Sequence, residues 1–337
     1  LGRISAYNGL FPGRARFPFG ENPAQAYNFS LYSVEAMFAA HEVSAPPDAG
    51  TCRVFIIGDS STWGTLLKPE ETLAGQLNAL ELSAADGRRM RFFNLGYPTL
   101  STTKDLMLLQ EALGYAPDAV LWLVTLEGLP DDRQLDSPLV ANNAARVEAL
   151  IAQYGLTSIR ADDPALVRPD LWARTILGQR RALADLLRLQ LYGPLWSSTG
   201  IDQFYPAEYD PAQRDLEADA TFNNWPGPQF EPDLLAWDVL EAGMGAAPEM
   251  ILVNEPILIS QGLNRDVRYN FFYPRWAYDQ YRALLSARAA ANGWNYLDLW
   301  DLVPQEEFTN SAIHLTPAGE KMLAEKVAGA LRCELKP

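Results

Sequence analysis

Histidine and cysteine are nearly missing from this 337-residue chain, which has two of each. A metal site needs such ligands clustered at short spacing, and His41, His314, Cys52 and Cys333 lie far apart in sequence, so no metal is expected. Positive charge is scarce as well: 27 Lys and Arg stand against 42 Asp and Glu, for a formal net charge of -15. That balance excludes a nucleic-acid partner, which calls for clustered basic residues, and it disfavours an anionic membrane surface by the same repulsion. No apolar run reaches the length of a membrane span, and no charged-then-apolar targeting sequence opens the chain. Gly-rich phosphate-binding fingerprints are absent too, so no cofactor is expected. What the chain does have is 48% hydrophobic residues, with 9 Trp, 14 Tyr and 14 Phe. That is enough for one large domain with insertions, or for two domains.

Residues 54–64, VFIIGDSSTWG, organise the rest. Four apolar, β-favouring residues stop at Gly58 and give way to Asp59, Ser60, Ser61 and Thr62, which reads as a buried parallel strand ending in a tight turn. Further strands are expected at 90–95, 119–124, 250–254 and 296–299, alternating with helical spacing at 71–82, 101–113, 278–291 and from Pro317 onward. Thr316 is the expected N-cap of the last helix. Strand and helix in this alternation predict an α/β fold: a flavodoxin-like doubly wound parallel sheet of about five strands. The expected division is an N-terminal arm (1–50), the α/β domain (51–129 and 249–337) and a mostly helical cap inserted at 130–248. His41, at the end of a helical pattern in the arm, is expected to face solvent.

Cys52 precedes the first strand and Cys333 ends the last helix. Two readings stay open: a disulfide closing almost the whole chain, or two unpaired thiols. The chain begins at Leu1 rather than Met, and the expectation is an extracytoplasmic protein, secreted or tethered to a membrane through a segment since removed.

In an open α/β sheet, ligands bind at the carboxyl ends of the strands, which puts Ser60 at the usual address for chemistry. His314 precedes the last helix and opens on the same edge. A serine hydroxyl is a poor nucleophile until a base removes its proton, and an imidazole within hydrogen-bond reach is the usual base. Asn254 and Glu255 put further polar side chains at a strand end. The aromatics Trp63, Tyr97, Phe271, Phe272, Tyr273, Trp276 and Tyr278 are candidates for stacking on sugar rings.

Gly58-Asp59-Ser60-Ser61, Gly96 after the second strand, and His314 before the last helix together resemble the SGNH (GDSL-like) hydrolase superfamily. The resemblance covers the sheet and leaves out the arm and the insertion. It implies a serine esterase that removes small O-acyl groups from a carbohydrate or another alcohol, with Ser60 as nucleophile and His314 as base. The alternatives are an O-acyltransferase of cell-envelope glycans and a binding protein that kept the fold without the chemistry. In that family the oxyanion is held by the N–H of the serine, the N–H of the glycine after the second strand and an asparagine after the third. The first two correspond to Ser60 and Gly96. The third does not, because Thr125-Leu126-Glu127-Gly128 stands where the family has Gly-x-Asn-Asp. Glu127 must therefore be protonated, turned away or employed elsewhere, and Asn254 either supplies the missing donor or caps a strand-end turn. The family's histidine-orienting Asp is also replaced, by Ser311 with Asn310 one step back. Asp301 and Asp298 are the nearest acids to take its place, and a main-chain carbonyl is the further option. Ser61 and Trp63, beside the nucleophile, complete the candidate substrate-binding residues.

Overall fold

The computed structural model describes residues 5–11, 13–19, 32–168, 170–199, 231, 234–247 and 249–331. Helices α1 (Ala6–Leu10) and α2 (Val34–Ala40) belong to the N-terminal arm. Strand β1 (Thr51–Ile57) leads through α3 (Ser60–Trp63) to α4 (Leu73–Ala79), followed by β2 (Arg89–Asn94), α5 (Thr102–Leu113) and β3 (Ala119–Val124). Next come α6 (Pro138–Ala141), α7 (Ala144–Tyr154), α8 (Arg180–Thr199) and α9 (Trp237–Met244). The chain closes with β4 (Met250–Asn254), α10 (Arg275–Asn292), β5 (Asn295–Asp298) and α11 (Pro317–Ala328).

The five strands form one all-parallel sheet in the order β2-β1-β3-β4-β5. This is the flavodoxin-like doubly wound arrangement, in which the chain winds outward from β1 in both directions. The central strands β1, β3 and β4 are buried along nearly their whole length, as their unbroken apolar runs require when both faces are covered. One face carries α4 and α11, whose Leu73, Leu77, Leu323 and Val327 pack on Val54, Ile56, Leu121 and Val253. The other face carries α2, α5, α9 and α10 over Phe55, Ile57, Val120, Trp122 and Leu252.

Helix α9 lies inside the stretch expected to form a cap, yet it packs against α5 and β4 as the crossover between β3 and β4. Leu139, Val140, Val147 and Leu150 of α6 and α7 join the same core cluster. The arm is also part of the core: Phe17 and Phe38 are fully buried, and Asn8 Nδ2 donates to the carbonyls of Ala39 (3.0 Å) and His41 (2.9 Å). His41 does not face solvent. It is completely buried, its Nε2–H donates to Asn94 O at 2.9 Å and its Nδ1 accepts from Val43 N–H at 3.0 Å. Burial pushes its pKa down to about 3, so the ring stays neutral and ties the arm to β2. Cys52 is disulfide-bonded, and Cys333, the other cysteine of the chain, lies outside the described residues.

Candidate active site

The turn after β1 is built for one conformation. Asp59 is the N-cap of α3 and its Oδ1 accepts from Ser61 N–H at 2.8 Å. Ser60 therefore opens the helix, and its own N–H meets no acceptor among the described residues, as expected for the first turn of a helix. Gly64 ends α3 with φ +84°, where a side chain would be strained and a Cβ would strike Thr72. Arg16 Nη1 donates to Gly64 O at 2.8 Å and Trp63 O at 3.2 Å, and Asn94 Nδ2 donates to Thr62 O at 2.8 Å. Two separated parts of the chain thus grip a helix of four residues.

His314 is delivered by a closed loop. Thr309 N–H donates to His314 O at 2.8 Å, Thr316 N–H to Glu307 O at 2.9 Å, and Thr316 caps α11 by accepting from Gly319 N–H at 3.1 Å. The ring of His314 stands with Nε2 2.8 Å from Ser60 Oγ and Nδ1 2.8 Å from Asn310 Oδ1. An Nδ1–H donating to the amide oxygen leaves Nε2 as the acceptor for the serine hydroxyl, which fixes the tautomer a general base needs. Burial lowers the pKa of His314 to about 4. Both Ser60 and His314 are half-buried, so the pair is sheltered yet reachable.

Several expected roles fall elsewhere. Asp301 is exposed and its carboxylate pairs with none of the described residues, so the group on the far nitrogen of the ring is Asn310. Asp298 accepts from Asn254 Nδ2 at 2.8 Å and from Arg282 Nη2 at 2.7 Å, well engaged away from the ring. Asn254 is fully buried, and its Oδ1 accepts from the hydroxyls of Tyr278 (3.3 Å) and Tyr281 (3.1 Å). It is the hub of a strand-end network rather than an oxyanion donor. Gly96 N–H donates to Asn94 Oδ1 at 3.0 Å, so this donor is engaged as well. The glycine answers to space: a Cβ there would lie 2.5 Å from Trp63 N. Trp63 is fully buried with its Nε1–H on Phe17 O at 3.0 Å, and Tyr97, Tyr273 and Tyr278 are buried too, so none offers a stacking face to a sugar. Glu127 is buried and ion-paired with Arg133, which neutralises its charge.

Ser61 points inward instead of toward a substrate. Its Oγ donates to Glu255 Oε2, and the Asp59 charge disfavours ionisation of Glu255. Lys104, wholly buried, donates to Gly58 O at 2.7 Å and Tyr97 O at 3.1 Å and pairs with Asp105 at 2.5 Å. Sequence reasoning left Glu255 and Lys104 without a role. The signal for Glu255 was its place in the polar Asn254-Glu255-Pro256 strand exit, whereas Lys104 looks like any surface lysine in the first turn of a helix. Among the described residues no group of three or more His, Cys, Asp or Glu has the geometry to hold a metal ion, and no helix is long and apolar enough to cross a membrane.

Comparison with family models and with curated proteins returns no match. Solved structures do match. An aryl esterase of M. smegmatis is 15% identical with a TM-score of 0.36, covering 83% of this chain and 99% of its own. A carbohydrate acetylesterase of Sinorhizobium meliloti, Est24, is 14% identical with a TM-score of 0.36, covering 82% and 96%. A lipolytic protein of the G-D-S-L family from Desulfitobacterium hafniense is 13% identical with a TM-score of 0.33, covering 83% and 99%. The structural neighbours are esterases of the SGNH/GDSL kind. At such identities the likeness concerns the fold, and the chemistry must be argued from the site itself.

Proposed function

We propose that this protein is a serine esterase that cleaves small O-acyl esters of a carbohydrate or similar alcohol through an acyl-enzyme on Ser60. The observation that carries the proposal is the 2.8 Å contact between Ser60 Oγ and His314 Nε2, with Asn310 fixing the other ring nitrogen. His314 Nε2 takes the hydroxyl proton as Ser60 Oγ attacks the ester carbonyl, giving a tetrahedral oxyanion and an imidazolium. Collapse breaks the ester C–O bond and returns the proton to the departing alcohol. A water then repeats the sequence on the acyl-enzyme and releases the acid. The uncommitted Ser60 N–H is the donor placed for the oxyanion, while Gly96 N–H and the Asn254 amide are already engaged. Each missing donor of this kind costs about 10²–10³ in turnover, so slow chemistry is expected. The disulfide at Cys52 accords with an oxidising, extracytoplasmic compartment.

The test is hydrolysis of a nitrophenyl acetate, with loss of product release in both Ser60→Ala and His314→Ala. Intact mass after an organophosphonate should show one adduct, on Ser60. Activity that survives both substitutions would end the proposal. Adding an oligosaccharide acceptor and weighing the products separates transfer to a sugar hydroxyl from transfer to water.

A further inference from the structure

The nucleophile's turn is anchored from below by a residue 194 positions away in sequence. We propose that Glu255 is a positioning residue for Ser60: its buried carboxyl, accepting from Ser61 Oγ, clamps the turn carrying the nucleophile to the end of β4. This rests on the assignment of Ser60 as nucleophile and adds a residue to it.

The geometry gives Glu255 no other employment. It follows β4 directly, is 2% exposed, and its Oε2 accepts from Ser61 Oγ while its carboxyl meets Asp59. Asp59 in turn holds Ser61 N–H, so Ser61 is gripped at its amide by Asp59 and at its hydroxyl by Glu255, immediately beside Ser60. Two carboxyl groups side by side inside a protein repel strongly when both are ionised, so one keeps its proton. The other oxygen of Glu255, Oε1, has no hydrogen-bond partner. It faces a cavity of about 10 Å³ also lined by Thr62 and Glu320, whose Oγ1 and Oε2 are likewise unpartnered. An ionised oxygen there would be buried without compensation, so the clamp works as the neutral acid.

The titratable groups around it reinforce that state. Asp59 faces it from the β1–α3 turn, Asp105 from α5 and Glu320 from α11, and all three carboxyls disfavour a further negative charge. Lys104 on α5 is the cation of the cluster: burial raises the pKa of Asp59, and the Lys104 charge opposes that rise. Tyr273, Tyr278 and Tyr281 stand behind Glu255 with hydroxyls raised well above their ordinary value by burial, hence uncharged. Burial first and the Asp59 charge second raise the pKa of Glu255 itself. Once rising pH removes the proton of Glu255, its charge repels that of Asp59, and the turn bearing Ser60 is pushed out of register with His314.

The experiment compares pH profiles of kcat and KM for nitrophenyl acetate in the wild type, Glu255→Ala and Glu255→Gln, with thermal unfolding to confirm that each folds. Glu255→Ala should lower kcat by about 10²-fold, the effect of displacing a reacting group by about an ångström, with KM little changed. Glu255→Gln keeps an amide oxygen to accept from Ser61 and has no proton to lose, so it should restore kcat and lack the decline of the wild type at rising pH. Equal kcat in a folded Glu255→Ala, or the same decline in Glu255→Gln, overturns the proposal. A second readout, ¹³C titration of the side-chain carboxyls, should show Asp59 shifting in Glu255→Gln, and an unmoved Asp59 overturns it as well. If Ser60→Ala stays active the esterase assignment fails instead, and the carboxyl titration then decides the coupling of Asp59 to Glu255 independently of turnover.

Discussion

His314 meets both of its partners through one ring, and neither partner is charged. The amide oxygen of Asn310 fixes the tautomer as well as a carboxylate would, but it carries no charge and stabilises the imidazolium formed during attack less. With burial alone acting, the ring titrates near 4 and remains a free base at neutral pH. The acid limb of kcat/KM should then fall near pH 4, where the ring gains its proton and can no longer take one from Ser60. Asn310→Asp restores the negative partner. It should move that limb upward by roughly one to three pH units and raise kcat by about tenfold or more. A pH–rate profile that is superimposable on the wild type would show that position 310 does not govern the base. Ser60 and His314 were legible in the sequence because a polar turn after an apolar strand and a histidine before a capped helix are local signals. Asn310 was not, since the sequence search was for an acid. A neutral residue four positions before the histidine qualifies only once the loop closed by Thr309 and Thr316 brings it under the ring.

At the scale of elements, α3 is too short to hold itself and depends on what abuts it. Asn94 stitches it to the end of β2, Arg16 to the arm and Glu255 to the end of β4. The tightest approach is at Gly96, where an added Cβ would lie 2.5 Å from Trp63 N and 2.9 Å from Thr62 C. Both are backbone atoms, so α3 itself must move. Gly96→Ala should cost about 1–3 kcal/mol, the usual range for overpacking, and slow phosphonylation of Ser60 out of proportion to that loss. Urea unfolding together with the labelling rate measures the two effects, and unchanged labelling in a folded variant would mean that α3 tolerates the push. The strands were read closely, β3 and β4 to the residue, because unbroken apolar runs between turn-formers leave little choice of boundary. The crossover α9 was assigned to a cap instead. Its eight residues follow a long polar stretch, and only contact with α5 and β4 shows which layer they complete. Gly96 was expected as an oxyanion donor, and its N–H is engaged by Asn94 instead; a sequence cannot distinguish a glycine kept for its N–H from one kept for want of a Cβ.

At the scale of the whole molecule, titratable groups of both kinds are buried, with opposite consequences for stability. The burial of His41 escaped the sequence reading because it lies at a helix end, where solvent is the ordinary neighbour, and only β2 arriving beside it makes a neutral buried imidazole possible. His41 and His314 are held neutral, near 3 and 4, so the unfolded chain binds more protons than the native one below about pH 6.5 and stability falls as the pH drops. Glu320 does the reverse. Burial raises it from 4.5 to about 8, so between those values the native state keeps a proton that the unfolded chain has lost. Stability therefore declines as pH rises through that window, by up to about 1.4 kcal/mol per pH unit for this one group. Glu320→Gln fills the same space with a side chain that does not titrate, and it should remove that slope. The gap in unfolding free energy between variant and wild type should widen in the variant's favour from pH 5 to pH 8, and stay constant below pH 4, where both side chains are neutral in both states. Urea midpoints at half-unit intervals measure it. Parallel stability curves across the window would mean that Glu320 is ionised in the folded protein, and that the pocket behind Ser61 admits enough solvent or counter-charge to allow it.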